Sequence, residues 1–249
     1  VGYAQGETAL SDSAATGTAT SPSAAGGLVG SISGTSTITD TAADVSVVGQ
    51  YAAGGLLGRA FDYPTLTRSV AAGAVSGNVD VGGLVGSALY GAITVLDTAA
   101  SGAVTGTTRV GGLAGGFTGS LKRSSASGSV TATADDAGGL VGAFIPASGV
   151  CGSAVCAATP APDVPTEIRT SYATGNVRAN SRVGGLVGLM ADNVLCPISE
   201  QVQICAATVV EPEAVVYDSY STGDVTATDV AGGVVGSTGP LRNESVNDA

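Results

Sequence analysis

Residues 82–86 read Gly-Gly-Leu-Val-Gly, and the phrase or a close variant returns at Gly26, Gly54, Gly111, Gly138, Gly184 and Gly232. Successive starts are separated by 28, 28, 29, 27, 46 and 48 residues. A unit this short cannot bury an apolar face by itself, so the units must stack. The expected fold class is all-β: a parallel β-solenoid (β-helix) of about seven coils, ~28 residues per coil, with two longer loops. The organisation expected is one continuous unit over residues 1–249.

Working outward from the motif, like residues recur in columns. An aliphatic residue opens each unit: Leu10, Ile38, Leu66, Val95, Leu121, Ile168 and Val216. Three places later stands a hydroxyl: Ser13, Thr41, Ser69, Thr98, Ser124, Ser171 and Ser219. Small residues follow at a step of two (Ala15, Ala43, Ala71, Ala100, Ala126, Ala173, Ser221), and mostly glycine and then valine at the next two steps. Alternation of period two marks strands, with the hydroxyl and small columns on one face, assigned inward. Stacked coils lie about 4.8 Å apart, so equivalent residues meet. Leu28, Leu56, Leu84, Leu113, Leu140, Leu186 and Val234 are the expected repeat core. The hydroxyls are expected to form an internal ladder, each O–H serving its neighbour. The paired glycines are read as a tight corner, made by positive φ or by close backbone approach.

These residues resemble proteins of the GLUG-motif repeat family. The resemblance rests on the Gly-Gly-Leu-Val-Gly copies preceded by Ser-x-Ala-x-Gly-x-Val, clearest in Ser69–Val75 and Ser171–Val177. It implies bacterial or archaeal adhesin-like surface proteins, and some secreted peptidases that carry such repeats as non-catalytic segments. It brings no catalytic residues with it. Thr18-Ala19-Thr20 and Val45 depart from the pattern without interrupting the repeat.

Composition agrees with a narrow interior. There are 39 glycines, no Trp and 4% aromatic residues, so little bulk is on hand to fill a wide core. The formal charge is −11, from 9 basic and 20 acidic residues. That argues against nucleic acid, which needs a basic footprint, and against anionic membrane surfaces. The stretch 137–162 contains no Lys, Arg, Asp or Glu, yet its glycines and prolines oppose membrane insertion. The chain opens as though inside a repeat, at Val1–Gly6, and Leu241–Ser245 reads loosely as another opening. A segment of a larger extracellular or cell-surface protein is expected.

The two long steps place insertions at about residues 146–166 and 191–214, in the same slot of adjacent units. The first carries Cys151 and Cys156, the second Cys196 and Cys205. Four cysteines allow three pairings. Local disulfides within each loop are favoured, cross-loop pairing comes next, and zinc is the remaining reading despite spacings unlike C-x-x-C and a chain without histidine.

The absence of histidine removes Ser-His and Cys-His nucleophile systems. No phosphate-loop motif occurs. Asp40, Asp44, Asp135, Asp136, Glu211 and Glu213 read as solvated loop charges rather than paired catalytic acids. No cofactor is expected, and surface calcium is the one cation the acidic balance leaves open. Ice binding is disfavoured because the Ser/Thr column points inward. Tyr172 and Tyr220 share an outward slot in adjacent units and form either a binding patch or a cross-coil stack. The expected function is a non-catalytic extracellular structural or adhesive segment: a stalk, fibre or adhesin shaft. Alternatives are the non-catalytic repeat segment of a secreted enzyme such as a peptidase, and a carbohydrate-binding module using the inserted loops. Expected partners are other copies or adjoining repeats end to end, with surface glycan or protein as further candidates.

Overall fold

The computed structural model describes residues 1–146, 164–191 and 214–239. Among them the chain is all-β, with no helix, in three parallel sheets of 13, 12 and 7 strands. Strands that neighbour one another in space are one repeat apart in sequence. Val75 pairs with Val47 and Val104, and Val130 pairs with Val104 and Val177. Such in-register parallel pairing is solenoid-like, and it follows from the period: identical side chains bury identical faces only when units stack without slipping.

Each repeat contributes to the sheets in turn. Strands such as Thr65–Thr67 open the unit in the 13-stranded sheet. Strands of the hydroxyl-small-valine run form the 12-stranded sheet, and those leading into the motif, such as Val79–Gly82, form the 7-stranded sheet. The strand leaving the motif returns to the 13-stranded sheet. Inward and outward positions alternate cleanly along Ala42–Gly49, where Ala43, Val45 and Val47 are buried and Ala42, Asp44 and Ser46 exposed. Val45 leaves this strand unbroken over eight residues. Ala14–Ser21, which carries Gly17 there, pairs along its whole length with this strand, whereas the next unit, with Gly73, breaks between Val70–Ala71 and Val75–Ser76.

One continuous core runs through the stack. Leu56, Leu84, Leu113, Leu140 and Leu186 are fully buried, and the buried Phe117 and Phe144 rings lie within it with centroids 6.0 Å apart. Complete burial of each such leucine contributes about 1.5–3 kcal/mol. The leucines form a backbone column as well: the Leu56 N–H donates to the Leu84 carbonyl, Leu84 to Leu113, Leu113 to Leu140, and Leu140 to Leu186. Leu28 starts this column and Val234 closes it, but Val234 is 44% exposed because no described coil covers it.

The motif glycines work by close approach, and none of them has positive φ. A methyl group at Gly82 would overlap the Val85 carbonyl across the turn, and one at Gly83 would overlap the Gly112 carbonyl of the next unit. At Gly86 the strand leaving the motif lies against the backbone of Ala52 and Ala53 in the 7-stranded sheet, 2.6–2.7 Å from where a Cβ would sit. Gly233 holds the same motif position as Gly83 in the last described unit and has open space around it. Gly83→Ala is therefore expected to destabilise by about 3 kcal/mol, the upper end for overpacking. Gly233→Ala should stay within about 0.5 kcal/mol, as at an unencumbered surface site. Urea unfolding midpoints of the two variants check this.

Candidate functional site

The hydroxyl column is inward and mostly buried: Thr41, Ser69, Thr98, Ser124 and Ser171 are all under 4% exposed, while Ser13 and Ser219 in the outermost units are half-buried. Its bonding differs from the expected hydroxyl-to-hydroxyl relay. Each serine donates to the carbonyl two residues before it, Ser69 to Thr67, Ser124 to Lys122, Ser171 to Arg169 and Ser219 to Tyr217. Each of these serines also accepts the backbone N–H of its counterpart in the preceding unit, at 3.1–3.2 Å. Only Thr41 and Thr98 donate across, to Ser69 and Ser124. The column thus closes the corner of each unit by satisfying backbone groups, and its hydroxyls are occupied.

The carboxylates divide in a way the sequence reading did not anticipate. Among the described residues thirteen non-glycine residues have positive φ, and nearly all fall into two columns. One column directly precedes the hydroxyl: Asp12, Asp40, Arg68, Asp97, Arg123, Thr170 and Asp218. The other lies two places before the motif: Ala52, Asp80, Arg109, Asp136 and Arg182. Aspartate tolerates this conformation comparatively well, whereas arginine there is strained. Each arginine is compensated by an aspartate one unit away. Arg68 grips Asp40 with two bonds of 2.8 and 2.7 Å, and Arg123 grips Asp97 with bonds of 2.7 and 2.9 Å. Arg68 and Arg123 hold these two exposed carboxyls below the usual carboxylate range.

The second column lies deeper. Arg109 Nε donates to Asp80 at 2.5 Å, and Arg182 donates to Asp136 at 2.5 and 3.1 Å. Asp136 is therefore not the solvated loop charge expected for it. It is 3% exposed, because its corner is packed beneath the strand leaving the motif of the next unit. Burial pushes its carboxyl up from the usual range, against the pull of Arg182 and Arg109. Asp135, half-buried, also faces Arg182, at 3.6 Å. Asp44 is exposed, and Glu211 and Glu213 lie outside the described residues.

A third polar cluster stands where the chain re-enters the 13-stranded sheet after each insertion. Glu167 is buried and meets Lys122 at 2.6 Å, Ser120 at 3.4 Å and the Tyr217 hydroxyl. Burial works against the Glu167 charge, but the Lys122 and Tyr217 donors outweigh it and hold the carboxyl below its ordinary value. Arg169 lies 4.8 Å from the Tyr217 ring centre. Tyr172 and Tyr220 stack face to face, centroids 5.3 Å apart and planes within 6°, so each covers one face of the other. The four cysteines lie outside the described residues, as do most of both insertions.

Among the described residues no group of three or more metal-ligating side chains comes together, and no helix is long and apolar enough to cross a membrane. Comparison with protein-family models, curated proteins and solved structures found no match. The paired columns had a legible signal: Asp or Arg recurs immediately before the Ser/Thr, and again two places before the motif.

Two outcomes follow from these charges. Arg182→Met leaves Asp136 buried without its bidentate partner and is expected to cost about 3 kcal/mol, measured by urea unfolding at pH 7. Glu167 has a lowered folded pKa, so its contribution is present above the ordinary glutamate pKa and lost as pH falls through the folded value. Asp136, with a raised pKa, has the opposite sign. Glu167→Gln should lower stability at pH 7 and flatten the loss between about pH 5 and pH 3; a variant whose pH profile parallels the parent would show that Glu167 is not a source of acid lability.

Proposed function

We propose that the chain is a single parallel β-solenoid of about seven coils, ~28 residues per coil, of the GLUG-repeat kind, and that it serves as a non-catalytic structural or adhesive shaft outside the cell. The observation that carries this reading is the unbroken in-register stacking of equivalent residues, whose polar groups are committed to neighbouring units. The Ser/Thr column closes corners, and the buried carboxylates are bound by arginine or lysine. Side chains so committed resemble mechanical ties rather than a reacting constellation. End-to-end contact with adjoining repeats or further copies belongs to the same reading, because the units pair by parallel, in-register strands that further units of the same kind could extend. Open strand edges are templates for further pairing.

The charge columns give this reading a test in which two deletions part company. Removing residues 55–111 takes out two repeats and leaves Asp40 facing Arg123. This variant should fold, with its long dimension in small-angle scattering shorter by about 10 Å. Removing residues 83–111 takes out one repeat and sets Arg68 against Arg123 and Asp80 against Asp136. It should be markedly less stable. Unfolding of both, or equal stability of both, would refute the stacked arrangement. The surface role is tested by labelling intact cells of the source organism with antibody; signal only after lysis would overturn it.

A further inference from the structure

The 13-stranded sheet hides residues on both of its sides. Phe117 and Phe144 lie in the main core, and Met190, in register with Phe144, packs against that core. Ala143 and Ile145 flank Phe144, and Leu189 and Ala191 flank Met190. Ile145 and Ala191 continue the ladder, donating their N–H groups to the Phe117 and Phe144 carbonyls. The alternation of a strand therefore turns these four residues to the outer side. They nevertheless form a second buried apolar cluster, each 0–2% exposed, separate from the main core.

The outer side of a sheet meets water unless chain lies over it. Among the described residues, Leu89 is the hydrophobic side chain packed against the cluster, and it is itself only half-buried. Thr118 follows Phe117 and shares the outer side by the same alternation. It is fully buried, and its Oγ1 has no hydrogen-bond partner. No second molecule contributes to this burial, so the cover belongs to the same chain.

We propose that residues 147–162, the greater part of the first insertion, dock on this outer cluster. The segment begins beside it, two places beyond Ile145. The chain then rejoins the same sheet at Glu167–Arg169, so both ends of the insertion are held at that sheet. Residues 147–162 include no Lys, Arg, Asp or Glu in a chain of formal charge −11, and alanine and valine recur among them. Such a composition suits contact with Ile145 and Leu189, where burial contributes about 25 cal/mol per Å² of apolar area. The second insertion fits less well, because it opens on Asp192 and carries Glu200, Glu211 and Glu213. The first insertion thereby belongs to the body of the stack rather than serving as a free ligand-binding arm. The proposal does not rest on the shaft reading.

The test uses the full chain with a diazirine-bearing amino acid in place of Leu189. Illumination is expected to join position 189 to residues 147–162 of the same molecule, located by mass spectrometry of the digested monomer. Joining to residues 192–213 or 240–249, to a second molecule, or to solvent alone would overturn the proposal. A second variant replaces residues 147–162 with a Gly-Ser segment of equal length. It is expected to keep the circular dichroism of the parent and to gain fluorescence with anilinonaphthalene sulfonate, a dye that reports uncovered apolar surface. A folded variant that binds the dye no more than the parent would also refute the docking. If that variant does not fold, the crosslink in the intact chain decides.

Discussion

Three stretches of backbone meet at each Gly-Gly-Leu-x-Gly corner with no room for a side chain, and the rest of the molecule depends on that contact. The first glycine lets the turn close on the carbonyl three residues later, as Gly82 does on Val85. The second lets the corner sit on the carbonyl of the next unit, as Gly83 does on Gly112. The third lets two sheets press together without side chains between them. Once the corner is this tight, the leucine and the residue after it are the motif side chains left to fill the interior, as Leu84 and Val85 do. The leucine's backbone N–H and carbonyl bond to the leucines below and above. The interior is narrow because its corners are, and small residues such as Ala71, Ala100 and Ala126 suffice to fill much of it.

A stack of near-identical units has a weakness: apolar columns match as well one repeat out of register as in it. The arginine–aspartate columns remove some of that ambiguity. Asp40–Arg68 and Asp97–Arg123 on one corner, and Asp80–Arg109 and Asp136–Arg182 on the other, pair specific neighbours. The exposed pairs are weak by nature, since water and salt screen them. The deeper pairs carry more discrimination, because a mismatch would bury like charges. The arginines accept an unfavourable backbone conformation at these corners, and the ion pair offsets it.

The polar column beneath the corner illustrates how a repeated hydroxyl can be structural. Serine is short enough to turn back to its own strand's carbonyl while receiving an N–H from the neighbouring unit. Threonine at Thr41 and Thr98 reaches across instead. Either arrangement satisfies buried groups, which is why the two residues interchange freely along the column. Tyr172 and Tyr220 follow the same principle on the outer face, where identical positions in adjacent units bring the rings into face-to-face contact.

Architecture was legible in the residues alone because period, alternation and stacking are one-dimensional properties. The spacing of the glycine motif placed Leu56, Leu84 and Leu113 in one column, and the period of two separated inward Ala43 from outward Asp44. The charges were harder to place. Asp136 and Asp44 look alike in a list of carboxylates, yet one is buried under a neighbouring strand and the other is in water. The difference comes from which corner of the coil each occupies and from what the next unit lays over it. Whether Gly83 needed positive φ or merely emptiness was likewise decided by a carbonyl 29 residues away. Local pattern dictates which faces must be hidden; only the packing of one coil upon the next determines which polar groups are hidden with them and which partners they meet.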